Sequence, residues 1–239
     1  MKTIIIIPTY NEVENLPKLV SVIMNLPFND LGLLIVDDNS PDGTGRLAEQ
    51  LAEDYKNRIL IHHREGKLGL GTAYLSGFKI ALDLGAEFIG QMDADFSHPP
   101  QKLVELHRIL EECDVAIGSR YIPGGSLDKS WPIWRKALSK FGNQYARTIL
   151  RMPIRDITGG FRLWRRNTLS EMPLERVRSN GYVFQIEMAY LGHRLGYSFG
   201  ETPIYFAERR WGQSKMSLRI QIEAAVRVWL LLYTYRDLK

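Results

Sequence analysis

Two carboxylates stand one residue apart at Asp93 and Asp95, closing the apolar run 88–92. In extended backbone, residues two apart project from the same face. Two carboxylates so placed cannot both stay ionised and buried without a cation. Mg2+ or Mn2+ suits all-oxygen ligands of this kind and commonly bridges them to phosphates. The hydroxyl of Ser97 follows closely enough to reach the same ion, directly or through water. His98, before Pro99-Pro100, reads more simply as a turn residue. An Asp-x-Asp pair is common by itself; its place at the end of an apolar run gives it weight.

A second acidic group, Asp37-Asp38, ends the apolar run 33–36. Acidic residues ending a buried strand meet a ligand's hydroxyl or base edge. The Ser-Pro-Asp-Gly-Thr that follows (40–44) is turn chemistry leading into a helix, with Asp42 or Thr44 as its cap. Tyr10 and Glu12, after the run 3–7, could pack on a base and accept from a ribose.

These groups must be positioned by a regular frame. The β-branched run 3–7 lacks alternation, as a strand buried on both faces does. A helix over 14–25 carries Leu16, Leu19, Val20 and Ile23 at helical spacing, with Pro17 tolerated in its first turn. Further strands fall at 33–36, 59–62, 88–92 and 115–118. Between them lie a helix with Leu47, Leu51 and Tyr55 on one face and helices over 71–82 and 100–111. This alternation argues for an open, mostly parallel α/β sheet with helices on both faces. Such sheets bind ligands at the carboxyl ends of their strands, where all three polar clusters stand. No Gly-x-Gly-x-x-Gly follows the first strand and no Walker loop is present, so a dinucleotide-type site is not expected. Beyond 118 the spacing predicts helices over 133–150, 183–195 and 217–235 and strands over 161–164 and 198–206, separated by basic, Gly-rich loops.

The 239 residues suit one well-buried domain. One cysteine, Cys113, excludes an internal disulfide and a cysteine-rich zinc site. The start of the chain does not read as a signal peptide, since its apolar run is four isoleucines ended by Pro8; a cytosolic protein is expected. No stretch reaches the roughly 18 apolar residues of a spanning helix. The net charge of +4 hides an asymmetry: 10 Lys/Arg against 18 Asp/Glu up to residue 118, and 21 against 9 after it. The first half is suited to cations, the second to anions or an anionic surface.

Taken together, Pro-Thr-Tyr-Asn-Glu (8–12), Val-Asp-Asp-Asn-Ser-Pro-Asp-Gly-Thr (36–44), Lys-Leu-Gly-Leu-Gly-Thr-Ala-Tyr (67–74) and Met-Asp-Ala-Asp-Phe-Ser-His-Pro (92–99) resemble the dolichol-phosphate (polyprenol-phosphate) mannose synthases of glycosyltransferase family 2. The likeness continues through Gly-Ser-Arg-Tyr (118–121), Arg-Lys-Ala-Leu-Ser (135–139), Asp-Ile-Thr-Gly-Gly-Phe-Arg (156–162), Gly-Tyr-Val-Phe-Gln-Ile-Glu-Met (181–188) and Arg-Arg-Trp-Gly-Gln-Ser-Lys (209–215). It implies a GT-A, Rossmann-like catalytic domain over 1–215 and a C-terminal amphipathic helix over 216–239. It further implies GDP-mannose as donor, a polyprenyl phosphate as acceptor, and Mg2+ or Mn2+. By that resemblance Pro8, Tyr10, Glu12, Val36 and Asp38 hold the nucleoside, and Asp93, Ala94 and Asp95 hold metal and diphosphate. Arg120, Arg135 and Ser139 hold the acceptor phosphate, and Arg209 and Lys215 close over the donor. Some members carry a metal-ligating glutamine where this chain has Ser97.

The basic half is compatible with those roles on its own terms. Arginine forks bind phosphate oxygens in pairs, although Arg135 and Lys136 read equally as a solvated helix face. The segment 209–215 reads as an anion-gripping loop or as a surface turn. The mechanism expected is direct displacement at the anomeric carbon, with Asp95, Arg120, Arg209 and Lys215 as the catalytic set. A phosphate nucleophile is already anionic near neutral pH, its second pKa being about 6, so no strong general base is required. Rival readings are another donor such as UDP-glucose, a nucleotidyltransferase, and a non-catalytic membrane scaffold; nucleic acid is not an expected partner. In the helix over 217–235, Arg219, Glu223 and Arg227 form a charged stripe. Ile222, Val226, Trp229 and Tyr233 form an apolar one that Leu230-Leu231-Leu232 widens. Such a helix can lie in a membrane interface or pack on its own domain. A lipid acceptor favours the first, hence peripheral association with the cytoplasmic face of a membrane.

Overall fold

The computed structural model describes residues 1–208 and 218–238. In chain order the elements are β1 (Thr3–Thr9), α1 (Leu16–Met24), β2 (Leu31–Asp37), α2 (Thr44–Asp54), β3 (Ile59–His63), α3 (Leu70–Asp83), β4 (Phe88–Gln91), α4 (Leu103–Ile109) and β5 (Val115–Ser119). They continue as β6 (Ser126–Leu127), α5 (Ile133–Leu150), β7 (Arg162–Arg165), α6 (Arg166–Glu171), α7 (Gly181–Arg194), β8 (Phe199–Pro203), β9 (Tyr205–Phe206) and α8 (Leu218–Thr234).

Seven strands form one sheet in the order β3-β2-β1-β4-β7-β5-β8. The one strand that runs against the others is β7, antiparallel to both β4 and β5. Strands β6 and β9 pair as a short parallel ribbon beside the sheet. The isoleucine run of β1 explains the layering. Ile4 and Ile6 face a core shared with α3, α5, α6, α7 and α8, while Ile5 and Ile7 face one shared with α1, α2 and α4. A strand covered on both faces has no polar side, which is why β1 and β2 lack alternation. Gly77 lets α3 lie close on β1, since a Cβ there would stand 2.6 Å from Ile6 Cγ2.

Several boundaries differ from the sequence expectation for local reasons. The expected strand 198–206 is divided into β8 and β9 around Pro203-Ile204. The helix expected to start at Pro100 begins as a single 3-10 turn, Pro100–Lys102, before α4. Strand β4 ends at Gln91, and a turn follows at Ala94-Asp95. Asp93 thus lies just past the strand and Asp95 within the turn, so the turn shares in placing the pair that strand alternation was expected to place.

Helix α8 is not set apart from the domain. Val228, Leu231 and Tyr235 are buried in the core shared with α5 and α7, and the Tyr235 hydroxyl donates to Glu187 Oε1 at 2.7 Å. Residues 1–215 and 216–239 thus do not have separate cores. The expected apolar stripe is a different one: Val226, Trp229 and Tyr233, with Leu230, are each more than half exposed. On the neighbouring α5, Ile133, Trp134 and Phe141 are exposed as well. Leu231 belongs to the core and not to the exposed side. The side chains of Arg219, Ile222 and Glu223 lie outside the described residues. No helix among the described residues is long and apolar enough to cross a membrane.

Candidate active site

Parallel pairing sets Pro8 opposite Val36 and Thr9 opposite Asp37, so β1 and β2 end side by side. Asp37 fastens the two ends. Its carboxylate accepts from the hydroxyls of Thr9 (2.9 Å) and Ser40 (2.6 Å) and from the Ser40 N–H (3.0 Å). Just beyond the strands, Asn11 and Asn39 adopt left-handed backbone, with φ of 63° and 57°, a region asparagine tolerates better than most residues. Glu12 accepts from Asn15 Nδ2 at 2.7 Å, and Lys67 Nζ stands 3.7 Å from the centre of the Tyr10 ring. Val36 is buried and Pro8 partly so; Val36 has its backbone to offer a ligand. Asp38 accepts from Arg64 Nη1 at 2.6 Å, and Arg64 Nη2 donates to the Thr72 hydroxyl at 2.7 Å. Burial raises the Asp38 carboxyl above its ordinary value, with Arg64 opposing. Asp42 accepts from the N–H and hydroxyl of Thr44 at the start of α2, whose cap position is Gly43 and not the expected Asp42 or Thr44.

The carboxylate pair lies beside this end, past β4. Asp95 is buried and accepts from the Ser97 N–H at 3.0 Å; Asp93 is partly open. The Asp93 N–H donates to His98 Nδ1 at 3.0 Å, and the Tyr74 hydroxyl stands 3.4 Å from Asp93 Oδ1. That bond makes Nδ1 an acceptor and places the ring proton on Nε2. Burial holds the His98 imidazole below its ordinary pKa although Asp93 and Asp95 oppose it, so it stands neutral, an anchor of the turn. Ala94 is buried, leaving its backbone as the group available to a ligand. The Ser97 hydroxyl is buried without a hydrogen-bond partner. Two carboxylates and an unsatisfied hydroxyl within five residues are a donor set that fits a hard divalent cation. Among the described residues no three His, Cys, Asp or Glu side chains gather into a complete cage.

A basic end lies across β5 and α5. Arg120 follows β5 and is buried, its Nε and Nη2 donating to the two oxygens of Asp156 at 2.8 Å each, with Nη2 also reaching Thr158 Oγ1 at 2.7 Å. Burial alone would weaken the charge on Arg120; the Asp156 carboxylate outweighs it and holds the guanidinium charged. Arg135 Nη1 donates to both oxygens of Glu208 at 3.0 Å, and its guanidinium lies 3.6 Å from the Trp131 ring centre. Ser139 and Tyr121 share a hydroxyl hydrogen bond of 2.7 Å. Aromatic rings join the two ends: His98 and Trp131 each meet Phe206 edge-on, at 5.5 and 5.9 Å, and Arg120 lies 5.2 Å from the same ring.

Of the residues singled out from sequence, the structure brings Tyr10, Glu12, Asp38, Asp93 and Asp95 to the strand ends, and Arg120, Arg135 and Ser139 to the region around β5 and α5. Arg209 and Lys215 lie outside the described residues. Sequence reasoning gave no role to Arg64, Asp156, Glu208, Trp131 or Phe206. Arg64 follows β3 at the same sheet edge and was legible from the strand-end rule; the counter-charges Asp156 and Glu208 carry no local signal.

Residues 4–172 match the family described as Glycosyl transferase family 2. A polyprenol monophosphomannose synthase of Mycolicibacterium smegmatis is 46% identical over 217 residues, 90% of this chain and 81% of that protein. An undecaprenyl-phosphate mannosyltransferase of Micrococcus luteus is 44% identical over 230 residues, 95% of this chain and 93% of that protein. Among solved structures, glucosyl-3-phosphoglycerate synthase of Mycobacterium tuberculosis, with Mn2+, UDP-glucose and phosphoglyceric acid, superimposes with a TM-score of 0.66 at 14% identity, over 100% of this chain and 80% of that one. A mannosyltransferase of Pyrobaculum calidifontis, with GDP-mannose and Mn2+, superimposes with a TM-score of 0.61 at 17% identity, over 99% and 69%. At such identities the structural likenesses speak for the fold.

Proposed function

The chain belongs to glycosyl transferase family 2 and is a glycosyltransferase, and from that premise we propose that it moves mannose from GDP-mannose to a polyprenyl phosphate with inversion at the anomeric carbon. The names of the relatives support the lipid acceptor and the sugar. The observation that carries the reading is the two-ended site: an acidic pair where β4 ends, and two oriented arginines across the Phe206 ring from it.

In this reading Tyr10, Glu12 and Asp38, with the backbone at Pro8 and Val36, hold the nucleoside. Asp93 and Asp95, with the Ser97 hydroxyl, hold Mg2+ or Mn2+, which supplies positive charge against the departing diphosphate. Ala94 meets the diphosphate through its backbone, and Arg209 and Lys215 add cations to it. Arg120, Arg135 and Ser139 orient the acceptor phosphate. One of its oxygens attacks the anomeric carbon as the bond from that carbon to the diphosphate breaks, releasing GDP. The arginines need only position an oxygen that is already anionic. The half-exposed apolar side chains of α8 rest at the bilayer, where the lipid acceptor resides, as a peripheral contact on the cytoplasmic face.

The test is transfer from a panel of labelled sugar nucleotides to a short polyprenyl phosphate, with and without Mn2+. Mannose transfer from GDP-mannose that requires both the phosphate and the metal is expected. Preferred use of a uridine donor, or transfer to a dephosphorylated polyprenol at the same rate, would overturn it.

A further inference from the structure

Gln185 lies near the start of α7 with 3% of its surface exposed, and neither its amide oxygen nor its amide nitrogen has a hydrogen-bond partner. The other buried amides among the described residues, Asn15, Gln91 and Asn143, each have at least one atom bonded. Leaving both ends of a buried amide unpaired is costly. Packing does not demand an amide here, because its neighbours Phe184 and Ile186 fill the core as hydrocarbons.

One contact places this side chain near the carboxylates proposed to hold the metal, and a second brings its helix there. A Cβ added at Gly160 would stand 3.2 Å from Gln185 Nε2 and 3.6 Å from His98 Cε1. Both side chains therefore abut the same glycine, and His98 in turn bonds Asp93. On the other flank Phe184 stacks on Tyr74 with ring centres 5.8 Å apart, and the Tyr74 hydroxyl faces Asp93. The start of α7 thus lies beside Asp93, through His98 on one flank and Tyr74 on the other; in the reading above, the diphosphate and the transferred sugar belong next to it.

We propose that Gln185 binds the hydroxyls of the donor sugar and selects among epimers by them. The inference rests on the glycosyltransferase reading and adds a residue to it. A primary amide offers one acceptor and two donors in a plane, and a vicinal diol presents the complementary set. The amide is neutral, so it can hold a hydroxyl without removing its proton. A site built to bond a hydroxyl discriminates strongly against a sugar that lacks or misplaces it, because its own polar groups are then left unpaired.

Gln185→Met removes both bonds at nearly constant volume. With Mn2+ present, GDP affinity measured by calorimetry should stay within about twofold of wild type, while kcat/KM for the sugar nucleotide falls about a hundredfold, the loss of two hydrogen bonds. Deoxy-sugar donors complete the cycle. Deleting the contacted hydroxyl should slow the wild type by a similar factor and the variant no further. An equal fall in GDP affinity, or unchanged kcat/KM, would overturn the assignment. Should the methionine variant not fold, Gln185→Asn carries the same comparison with a shortened amide, and its melting temperature separates folding from recognition. A wild type that uses a donor other than GDP-mannose overturns the donor reading alone; the cycle run on the donor it does use still decides Gln185.

Discussion

At the metal end of the site the Asp93 carboxylate is met by the Tyr74 hydroxyl and the Asp95 carboxylate by the Ser97 N–H, while at the neighbouring strand end Asp38 is paired with Arg64. Across the Phe206 ring, Arg120 and Arg135 are met by full carboxylates, Asp156 and Glu208. A carboxylate satisfied by neutral donors keeps its charge available to a cation. An arginine already paired with a carboxylate must share or exchange that partner when an anion arrives. The acidic side is thus built to gain a charge, and the basic side to trade one. The basic side is itself uneven, because Arg120–Asp156 is buried whereas Arg135–Glu208 is partly open.

The largest effect should come from removing the cation site. Asp95→Ala is expected to lower turnover by at least about a thousandfold, the scale on which one group stabilising transition-state charge acts. Metal-dependent nucleotide binding should be lost while circular dichroism stays native. Near-normal turnover would break the comparison at its acidic side.

Next in size is the buried pair. Arg120→Ala leaves Asp156 charged and unpaired in the interior, which costs about 3–5 kcal/mol of stability. The pH dependence gives a sharper reading. In the wild type burial works to raise the Asp156 carboxyl, but Arg120 outweighs it and the net shift is downward. Its stabilising contribution is therefore present above the ordinary carboxylate range and is lost as pH falls through the depressed value. Without the Arg120 side chain, burial is opposed by the residue-120 N–H, the Thr158 hydroxyl and the charge of Arg162, so the carboxyl titrates higher than in the wild type and protonation relieves part of the cost. The gap in melting temperature between wild type and variant should narrow as pH falls from 7 toward 4. A gap that widens would mean that Asp156 is held by something other than Arg120.

Arg135→Ala should be milder, because its partner Glu208 can turn to water. Little change in melting temperature is expected, with KM for the polyprenyl phosphate raised about tenfold, the worth of one charged hydrogen bond, and GDP affinity unchanged. Equal losses for both substrates would move Arg135 to the donor side.

How much of this was legible in the residues differs between the two sides. Asp37, Asp38, Asp93 and Asp95 stand immediately after apolar runs, so strand ends and acidic clusters coincide in the sequence itself, and the parallel sheet follows from the unbroken apolar β1 and β2. The basic side depends on contacts between residues 36 and 73 positions apart, Arg120 with Asp156 and Arg135 with Glu208. No local pattern announces such pairs, and only the motif resemblance pointed to Arg120 and Ser139. The antiparallel β7 was hidden for a related reason: four residues, Arg162–Arg165, carry no sign of direction. In α8 the helical spacing is plain in the sequence, but a helix with apolar residues on two sides leaves open which side meets the core. Packing against α5 and α7 decided that.

That helix supplies the smallest effect and a comparison inside one element. Val228, Leu231 and Tyr235 are core; Val226, Trp229, Leu230 and Tyr233 on the same helix are more than half exposed. Substitution on the first set removes buried apolar surface, and truncation by Leu231→Ala alone should lower stability by about 2–5 kcal/mol. On the second set it removes surface that water already reaches, so folding should hardly change. Trp229 makes one exposed contact, its indole N–H donating to the Tyr145 hydroxyl at 3.0 Å, worth about 1 kcal/mol at most. Partial insertion of three such side chains into a headgroup layer gains on the order of 1 kcal/mol in total, well below full burial. Trp229→Gln, Leu230→Gln and Tyr233→Gln together should therefore weaken co-sedimentation with anionic liposomes about fivefold. GDP affinity and the melting temperature should stay near wild type. Raised salt should weaken wild type and variant alike, because screening acts on the basic residues and leaves apolar contacts in place. Undiminished liposome binding by the triple variant would assign the lipid contact to another face, of which the exposed Ile133, Trp134 and Phe141 on α5 are the next to replace.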